Sequence, residues 1–308
     1  MTARSMMDKW DLLGLEGLAS DHIAELLDSA ASFVSGFRGD ELAGRVIANL
    51  FFENSTRTRC SFEMAAARLG ATSLNLSSAG SSVSKGESEL ETAQQLDAMG
   101  ADAIVVRSSL NGVPQRLASE CRAPIINAGD GRHEHPTQAL LDLYTIRTHV
   151  GPLEGCRVAI VGDIANSRVA RSNLHGLEAM GAHVSLVGPP GMVDGSFQQI
   201  STLGSASVSH DLDSVLPDVD VVMMLRIQRE RGSRSLIPPD YRRAYGMTEQ
   251  RASGLGAHQW IMHPGPVNPG VEIDASVLRS FPRCLIADQV ASGVLVRAAV
   301  LRKALCAF

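Results

Sequence analysis

The sequence predicts an α/β protein with two doubly wound parallel-sheet domains and an active site in the crevice between them. Continuous runs of Val, Ile and Leu alternate with helical stretches, which is typical of parallel strands covered on both faces. These runs are too many for one sheet, and the Gly-Pro-Leu-Glu-Gly segment at 151–155 interrupts them mid-chain. We therefore expect one domain over 1–150, joined by a C-terminal helix at about 289–308, and a second domain over 151–288.

The predicted elements alternate along the chain. The first helix begins near the cap candidates Ser20 and Asp21 and has apolar residues at intervals of three and four between Ile23 and Val34. Further helices are predicted at about 57–69, 87–99, 113–121, 136–149, 167–180 and 290–306. Strands are predicted at 45–52, 72–76, 103–107, 124–127, 157–162, 183–187, 206–209, 220–225, 259–262 and 284–287.

Composition and charge exclude several classes of function. The 308 residues suffice for two domains with substantial cores, and the net charge of −5 gives no basic footprint for nucleic acid. We find no apolar run of membrane-spanning length and no apolar core of a signal peptide, so we expect a cytoplasmic protein without a membrane partner. Five scattered cysteines without a C-x-x-C pair indicate reduced thiols that pack as small hydrophobes, with a catalytic cysteine as the alternative.

The segment 53–59 combines three hydroxyls and two guanidiniums where a helix is predicted to begin. Cations in a first turn oppose the helix dipole, but a bound anion reverses the sign, because free amides, dipole and arginines then all favour negative charge. The segment therefore predicts a phosphate or carbamoyl-phosphate cradle. The alternative is a Ser/Thr-capped helix with solvated arginines, and a P-loop is disfavoured because Gly-x4-Gly-Lys is missing.

Two further segments follow predicted strands in the first half. Arg107 ends an apolar strand, and it would face the same crevice as Arg57 if the two halves pack as expected; an ordinary surface arginine is an equal interpretation. His135 and Gln138 share one face at a helix start that is marked by Pro136. A metal site pairing His133 with His135 is disfavoured by the spacing and by the lack of an acidic cluster. A neutral histidine that donates a hydrogen bond to a substrate carbonyl is the better interpretation.

The second half offers cations and a rigid turn. The strand at 157–162 superficially resembles a dinucleotide-binding strand, but the glycine fingerprint fails after Gly162, so we expect no NAD site. Arg168 lies at a strand-to-helix turn. Residues 226–243 hold six arginines against two acids, which can steer small anions or only solubilise a loop. The turn 263–266, His-Pro-Gly-Pro, exposes carbonyls that can accept hydrogen bonds from an amine.

A serine-rich stretch at 77–88 contains Lys85 as its one lysine. Its composition favours a solvated linker. The alternative is a mobile lid that brings a cation onto an anionic substrate.

Together these segments resemble the catalytic chains of aspartate carbamoyltransferases, over essentially the whole chain. The matching motifs are Ser55-Thr56-Arg57-Thr58-Arg59, the Ser81/Lys85 loop, Arg107, His135-Pro136-Thr137-Gln138, Arg168, Arg226-x-Gln228 and His263-Pro264-Gly265-Pro266. The resemblance implies transfer of the carbamoyl group of carbamoyl phosphate to the amine of L-aspartate, in pyrimidine synthesis. It also implies no metal or cofactor, and a homotrimer with shared active sites.

The resemblance also implies a role for each matching position. Domain 1–150 would bind carbamoyl phosphate and domain 151–288 would bind aspartate. Carbamoyl phosphate would contact Ser55, Thr56, Arg57, Thr58, Arg107, His135, Gln138, Pro264 and Gly265. Aspartate would contact Lys85, Arg168, Arg226 and Gln228, with Ser81 and Lys85 supplied by the neighbouring subunit. The catalytic groups would be Arg57, Thr58, Arg107, His135 and Lys85.

One departure and one sister family bear on these roles. The family commonly has Leu where this chain has Gly265, and we expect glycine to keep the backbone contact while loosening the turn. Ornithine carbamoyltransferases have a His-Cys-Leu-Pro motif and an Asp-x-x-x-Ser-Met-Gly loop, where this chain has His-Pro-Gly-Pro and arginines. Arginines suit a second carboxylate and repel ornithine's ammonium, so aspartate is expected. A non-enzymatic relative, a different acidic or acylated amine, and assembly with a regulatory chain or a dihydroorotase stay open.

Overall fold

The structure is a computed structural model that describes residues 9–77, 87–197, 201, 206–227 and 237–306. Three predicted site residues, Ser81, Lys85 and Gln228, lie outside these described residues. The chain divides into two compact units. Unit 1 comprises Met1–Leu141 and Val290–Phe308, and unit 2 comprises Asp142–Gln289.

Unit 1 holds a sheet of four parallel strands in the order β2-β1-β3-β4. The strands are β1 (Val46–Phe51), β2 (Thr72–Ser77), β3 (Ala103–Ser108) and β4 (Ile125–Asp130). Its helices are α1 (Ser20–Ser32), α2 (Thr56–Arg68), α3 (Glu89–Ala98), α4 (Val113–Glu120) and parts of α5 (Pro136–His149) and α11 (Ile286–Cys306). A short 3-10 helix, Phe33–Ser35, follows α1.

The apolar runs of unit 1 form strands because their side chains fill a core on the sheet. Leu50 and Ile104 from the sheet pack in one cluster with Leu96 of α3 and Leu117 of α4. Phe62 of α2 is fully buried as well. Burial of such side chains is worth about 1.5–3 kcal/mol each, which fixes the strands whose ends carry the predicted motifs.

Unit 2 holds five parallel strands in the order β7-β6-β5-β8-β9. The strands are β5 (Arg157–Val161), β6 (His183–Val187), β7 (Ser207–Ser209), β8 (Val221–Met224) and β9 (Trp260–Met262). Its helices are α6 (Arg168–Ala179), α7 (Leu212–Val215), α8 (Tyr241–Tyr245), α9 (Glu249–Gly254) and α10 (Ala275–Ser280), with a 3-10 helix at Leu216–Asp218. The core includes Val161, Val222, Ile261 and Tyr241. The predicted α/β class with two parallel sheets is confirmed.

One predicted strand is wrong. Residues 284–287 do not form a strand, because only Cys284 bridges to Ile261 and α11 begins at Ile286. A four-residue apolar run is too short to show a period, so a strand cannot be distinguished from the buried start of a helix by sequence pattern alone. The short helices α7 to α10 were not predicted for a similar reason, since four to six residues span less than two turns. In the part of the chain that the structure describes, no helix is long and apolar enough to cross a membrane.

Candidate active site

The carboxyl ends of three neighbouring strands carry the predicted motifs of unit 1. β1 pairs with β3, and β3 pairs with β4. Phe51 lies opposite Arg107 in the register, and the N–H of Phe52 donates to the Arg107 carbonyl at 2.9 Å. The chain leaves β1 towards β2 and returns to the other side of β1 as β3. This reversal of strand order is where open α/β sheets place their ligands.

The start of α2 has the features expected of an anion site. Ser55 precedes the helix in an extended conformation, and among the described residues its side chain makes no capping hydrogen bond. The first turn has no acidic residue, Arg57 is exposed, and Thr58 is buried. Arg59 instead turns along the helix, with its Nε 3.4 Å from Glu63 Oε1. This geometry favours the phosphate-cradle hypothesis over a serine-capped helix. It also distinguishes the two arginines, because Arg59 contacts a carboxylate of its own helix and Arg57 is exposed in the first turn.

Arg107 is held in place by three groups. Its Nη1 donates to the Ala128 carbonyl at 3.0 Å, and its Nε lies 3.3 Å from Glu53 Oε2. The same Nη1 lies 3.4 Å from Nε2 of His135. Because a guanidinium can only donate, this contact fits a neutral imidazole whose Nε2 faces Arg107 as an acceptor.

His135 and Gln138 lie where a loop enters α5. Both side chains are buried, and the N–H of Gln138 donates to the His135 carbonyl at 3.0 Å. His133 points to a different partner, with Nδ1 3.1 Å from Asp130 Oδ2. The two histidines thus have separate contacts, His133 with a carboxylate and His135 with Arg107.

Asp130 is a residue that the sequence reasoning missed. It is fully buried and accepts hydrogen bonds from Gly112 N at 2.8 Å, Asn127 Nδ2 at 2.9 Å and Glu134 N at 3.1 Å. Burial acts to raise the pKa of this carboxyl, but the donors, led by His133, outweigh it and hold the pKa below its usual range. Asp130 therefore shapes the loop that ends at His135.

Unit 2 also carries its predicted motifs at the carboxyl ends of neighbouring strands, and two of them are arginines. Arg168 is the first residue of α6, after β5, and the residue is 7% exposed. Its cap is ordinary, since Ser167 Oγ accepts from Ala170 N at 3.1 Å. Arg226 follows β8, which pairs with β5, and the strand order reverses between these two strands. The two arginines therefore lie at the carboxyl ends of adjacent strands, on either side of the reversal.

The His-Pro-Gly-Pro turn follows β9, the next strand of the same sheet. The N–H of His263 donates to Gln289 Oε1 at 2.9 Å, and the N–H of Gly265 donates to His263 Nδ1 at 2.8 Å. Gly265 has φ of +65°, a left-handed conformation that favours glycine, and the peptide bond to Pro266 is cis. That glycine loosens this turn relative to leucine stays a prediction, and the two hydrogen bonds fix the backbone of His263 and Gly265.

Glu272 is a second residue that the sequence reasoning missed. It is fully buried and accepts from Ile227 N and Asn268 N, each at 2.7 Å, while its Oε2 lies 3.9 Å from His263 Nε2. Burial raises the pKa of this carboxyl. Glu272 thereby connects the strand end that carries Arg226 with the turn that carries the candidate carbonyls.

The arginine-rich stretch at 226–243 is only partly described. Arg242 makes two hydrogen bonds of 2.7 Å to the Asp274 carboxylate, and Arg243 lies 3.1 Å from Asp240. These two charges are balanced within the unit, so they contribute little to steering an anion. The remaining arginines of the stretch, Arg229, Arg231 and Arg234, lie outside the described residues.

Comparison with known proteins gives two matching family models. The model described as "Aspartate/ornithine carbamoyltransferase, carbamoyl-P binding domain" matches residues 10–148. The model described as "Aspartate/ornithine carbamoyltransferase, Asp/Orn binding domain" matches residues 154–303.

Individual proteins are similar over nearly the same length. The aspartate carbamoyltransferase catalytic subunit of Gluconacetobacter diazotrophicus is 51% identical over 297 residues, covering 94% of this chain and 91% of that protein. A crystal structure of aspartate transcarbamoylase from Trypanosoma cruzi with carbamoyl phosphate and aspartate has a TM-score of 0.86 at 28% identity, covering 98% of both chains. Ornithine carbamoyltransferase from Pyrococcus furiosus has a TM-score of 0.85 at 27% identity, covering 97% of both chains.

Proposed function

We propose a function for this chain from one premise: it belongs to the aspartate/ornithine carbamoyltransferase family. The chain is an aspartate carbamoyltransferase. It transfers the carbamoyl group of carbamoyl phosphate to the amine of L-aspartate, giving N-carbamoyl-L-aspartate and phosphate for pyrimidine synthesis. The fold alone does not choose between aspartate and ornithine, since structures of both enzymes superpose equally well. The 51% identity to an aspartate enzyme over 94% of the chain carries the choice.

The charge of unit 2 supports the same amine. Arg168 and Arg226 lie at adjacent strand ends, beside the reversal of strand order. Two guanidiniums can bind the two carboxylates of aspartate, each by paired hydrogen bonds, whereas they would repel the second ammonium of ornithine. We assign the aspartate carboxylates to these arginines, together with Gln228 and Lys85.

The phosphate of carbamoyl phosphate binds at the start of α2 in this proposal. Ser55, Thr56, Arg57 and Thr58 supply hydroxyls, backbone amides and one guanidinium. The first turn supports this assignment: among the described residues the Ser55 side chain makes no capping hydrogen bond, and backbone N–H groups and the helix dipole both favour an anion at a helix start. Arg57 then stabilises the phosphate as it departs.

The carbamoyl oxygen becomes an oxyanion during the transfer and needs donors already in place. We assign these to Thr58, Arg107 and His135, with Gln138, Pro264 and Gly265 contacting the rest of the carbamoyl group. The contact between Arg107 and His135 supports the assignment, since it holds both side chains at one edge of the sheet and, with Nε2 as the acceptor, leaves the proton of a neutral imidazole on Nδ1 as a donor. The new C–N bond forms as the C–O bond to phosphate breaks. The departing phosphate takes the amine proton, so no protein base is required.

We further propose that the chain forms a cytoplasmic homotrimer in which Ser81 and Lys85 enter the neighbouring subunit's site. β2 is an edge strand, and Leu74 on it is 44% exposed. Met64 of α2 is 48% exposed. Exposed apolar side chains on an edge strand and on the helix beside it suit a subunit contact, and in the sequence the Ser81/Lys85 segment follows that strand. Light scattering of the purified chain should give three times the 32.8 kDa of one chain, and any other multiple would contradict the trimer.

Phosphate release tests the reaction. With carbamoyl phosphate present, release should depend on L-aspartate and should not increase with L-ornithine. A panel of other acidic or acylated amines identifies any preferred alternative. Release that requires ornithine, or that no amine stimulates, would contradict the proposed function.

A further inference from the structure

The segment at 9–16 lies along β4 as an additional edge of the unit 1 sheet, and we call it the N-terminal clasp. The N–H of Leu12 donates to the Ile125 carbonyl at 3.0 Å, and the N–H of Asn127 donates to the Leu12 carbonyl at 2.8 Å. Leu12 and Ile126 form a parallel bridge. The clasp therefore continues the hydrogen-bonding ladder of the strand that leads to His135.

Side chains fasten the clasp along its length. Lys9 Nζ donates to the Ala118 carbonyl at 2.7 Å, close to the end of α4. Asp11 Oδ1 accepts from Ile125 N at 2.7 Å, and Asn127 Nδ2 donates to the Leu13 carbonyl at 2.8 Å. Side chains of the clasp bind the sheet backbone, and a side chain of the sheet binds the clasp backbone. The clasp therefore cannot shift along β4 without breaking several of these hydrogen bonds.

The clasp ends on the carboxylate of Glu134, which is 1% exposed. Leu15 N lies 2.9 Å from Oε2 and 3.1 Å from Oε1, and Glu16 N donates to Oε1 at 3.1 Å. A buried carboxylate is strongly unfavourable without donors, so these amides are part of what allows Glu134 to be buried. The backbone of Glu134 is fixed from the other side by Asp130, through hydrogen bonds of 3.0 and 3.1 Å.

We propose that Glu134 is a positioning residue that uses the N-terminal clasp to hold His135 against Arg107. Glu134 immediately precedes His135, and Pro136 restricts the backbone on the other side. A displacement of about 1 Å at a catalytic group can reduce turnover by about 100-fold. This inference rests on the role of His135 in the proposed function. Glu134 and the clasp, which do not contact the substrates in this proposal, would then affect kcat and not substrate affinity.

The test compares kcat and KM among variants that disturb the clasp from either side. Glu134→Ala removes the acceptor, and Glu134→Gln keeps one oxygen. Gly14→Ala is the sharper probe, because its Cβ would lie 2.3 Å from Glu134 Oε1 while its backbone conformation tolerates alanine. Gly39→Ala is the matched control, since no described atom lies within 4 Å of a Cβ built there.

Glu134→Ala and Gly14→Ala should each lower kcat at least about tenfold, with KM for carbamoyl phosphate changed less than about threefold. Glu134→Gln should recover part of kcat, and Gly39→Ala should match the wild type. If Glu134→Ala fails to fold, as judged by circular dichroism, the other two substitutions decide. A kcat of Gly14→Ala within about twofold of wild type would overturn the proposal.

A double-mutant comparison separates this proposal from the proposed function. If Glu134 acts through His135, then adding Glu134→Ala to His135→Ala should lower kcat by less than about threefold more. A full additional loss in that background would overturn the positioning role while leaving His135 as a catalytic group. Wild-type kcat in His135→Ala alone would refute the catalytic role of His135, and the positioning role with it.

Discussion

Arg107 Nη1 lies 3.4 Å from His135 Nε2, although the two residues are 28 positions apart. β3 and β4 are paired, so the end of one strand and the loop after the other meet at one edge of the sheet. Arg107 is also fixed by the Ala128 carbonyl and by Glu53. Two side chains held in this way need no rearrangement when charge develops on a substrate oxygen, which is the condition for strong electrostatic catalysis.

Replacing Arg107 by lysine tests that geometry while keeping the charge. Lysine lacks the planar fork, so it cannot contact the Ala128 carbonyl, Glu53 and a substrate oxygen together. We expect Arg107→Lys to lower kcat by about 100-fold, the scale of losing one preorganised donor. Initial rates of phosphate release at saturating substrates measure it. Unchanged kcat with only a raised KM would show that Arg107 binds substrate but does not stabilise the transition state.

The two arginines at the start of α2 give a matched comparison. Arg57 is exposed in the first turn, whereas Arg59 contacts Glu63 one turn along its own helix. We expect Arg57→Ala to lower kcat by about two to three orders of magnitude, because a preorganised cation at the departing phosphate is lost. Arg59→Ala should cost much less. Equal losses in both variants would mean that the whole helix end, and not Arg57, is responsible.

The sequence predicts elements well where the signal is local. The apolar runs that became β1, β3, β5 and β8 were each long enough to be read as buried strands. The run at 284–287 is too short, and the first two residues of α11 occupy half of it. Elements of this length take their conformation from distant contacts, here the bridge between Cys284 and Ile261.

The same reason explains which site residues were missed. Arg107 and His135 were found because each follows an obvious strand or begins an obvious helix. Glu134 and Glu272 were missed because their hydrogen-bond donors are remote, at Leu15 and Ile227 respectively. A single acidic residue in a loop carries no local pattern. Only the fold brings the amides that make a buried carboxylate stable.

The cysteines provide a test of packing. Burial raises the pKa of the Cys121 and Cys156 thiols to about 11, and nearby carboxylates add to it. At pH 8 only about one part in a thousand of each thiol is then ionised, and neither is accessible. Cys306 is exposed, so we expect it to react fastest with a disulfide reagent. Cys306→Ser should remove the fast phase in native protein. A fast phase that persists when the half-buried Cys60 and Cys284 are also replaced would contradict the burial of Cys121 and Cys156.

Asp130 should make stability depend on pH with a defined sign. Its pKa is lowered in the folded state, so the carboxylate stabilises the fold above the unfolded pKa of about 3.9, and this contribution is lost as pH falls through the folded pKa. At pH 7, Asp130→Asn should destabilise by about 2 kcal/mol, because one of the two accepting oxygens becomes an NH2 group that cannot accept from the buried donors.

Thermal unfolding of wild type and variant at several pH values measures this effect. The difference in melting temperature should be largest at neutral pH and shrink below about pH 4. Asp240→Asn is a suitable control, since it removes only an exposed pair with Arg243. A difference in melting temperature between wild type and Asp130→Asn that grows as pH falls would contradict the predicted sign.

Shared sites in the proposed trimer can be tested by mixing two inactive variants. Arg107→Ala and Lys85→Ala should each lose most activity as pure trimers, because every site lacks one group. In a random equal mixture, a site is complete when its own chain keeps Arg107 and its neighbour supplies Lys85. This combination should restore about a quarter of wild-type activity, since each condition is met half the time. If each site were built from one chain, no combination of the two variants could complete it. Mixtures refolded together and then assayed for aspartate-dependent phosphate release therefore distinguish the two arrangements, with the unmixed variants refolded alongside as the baseline.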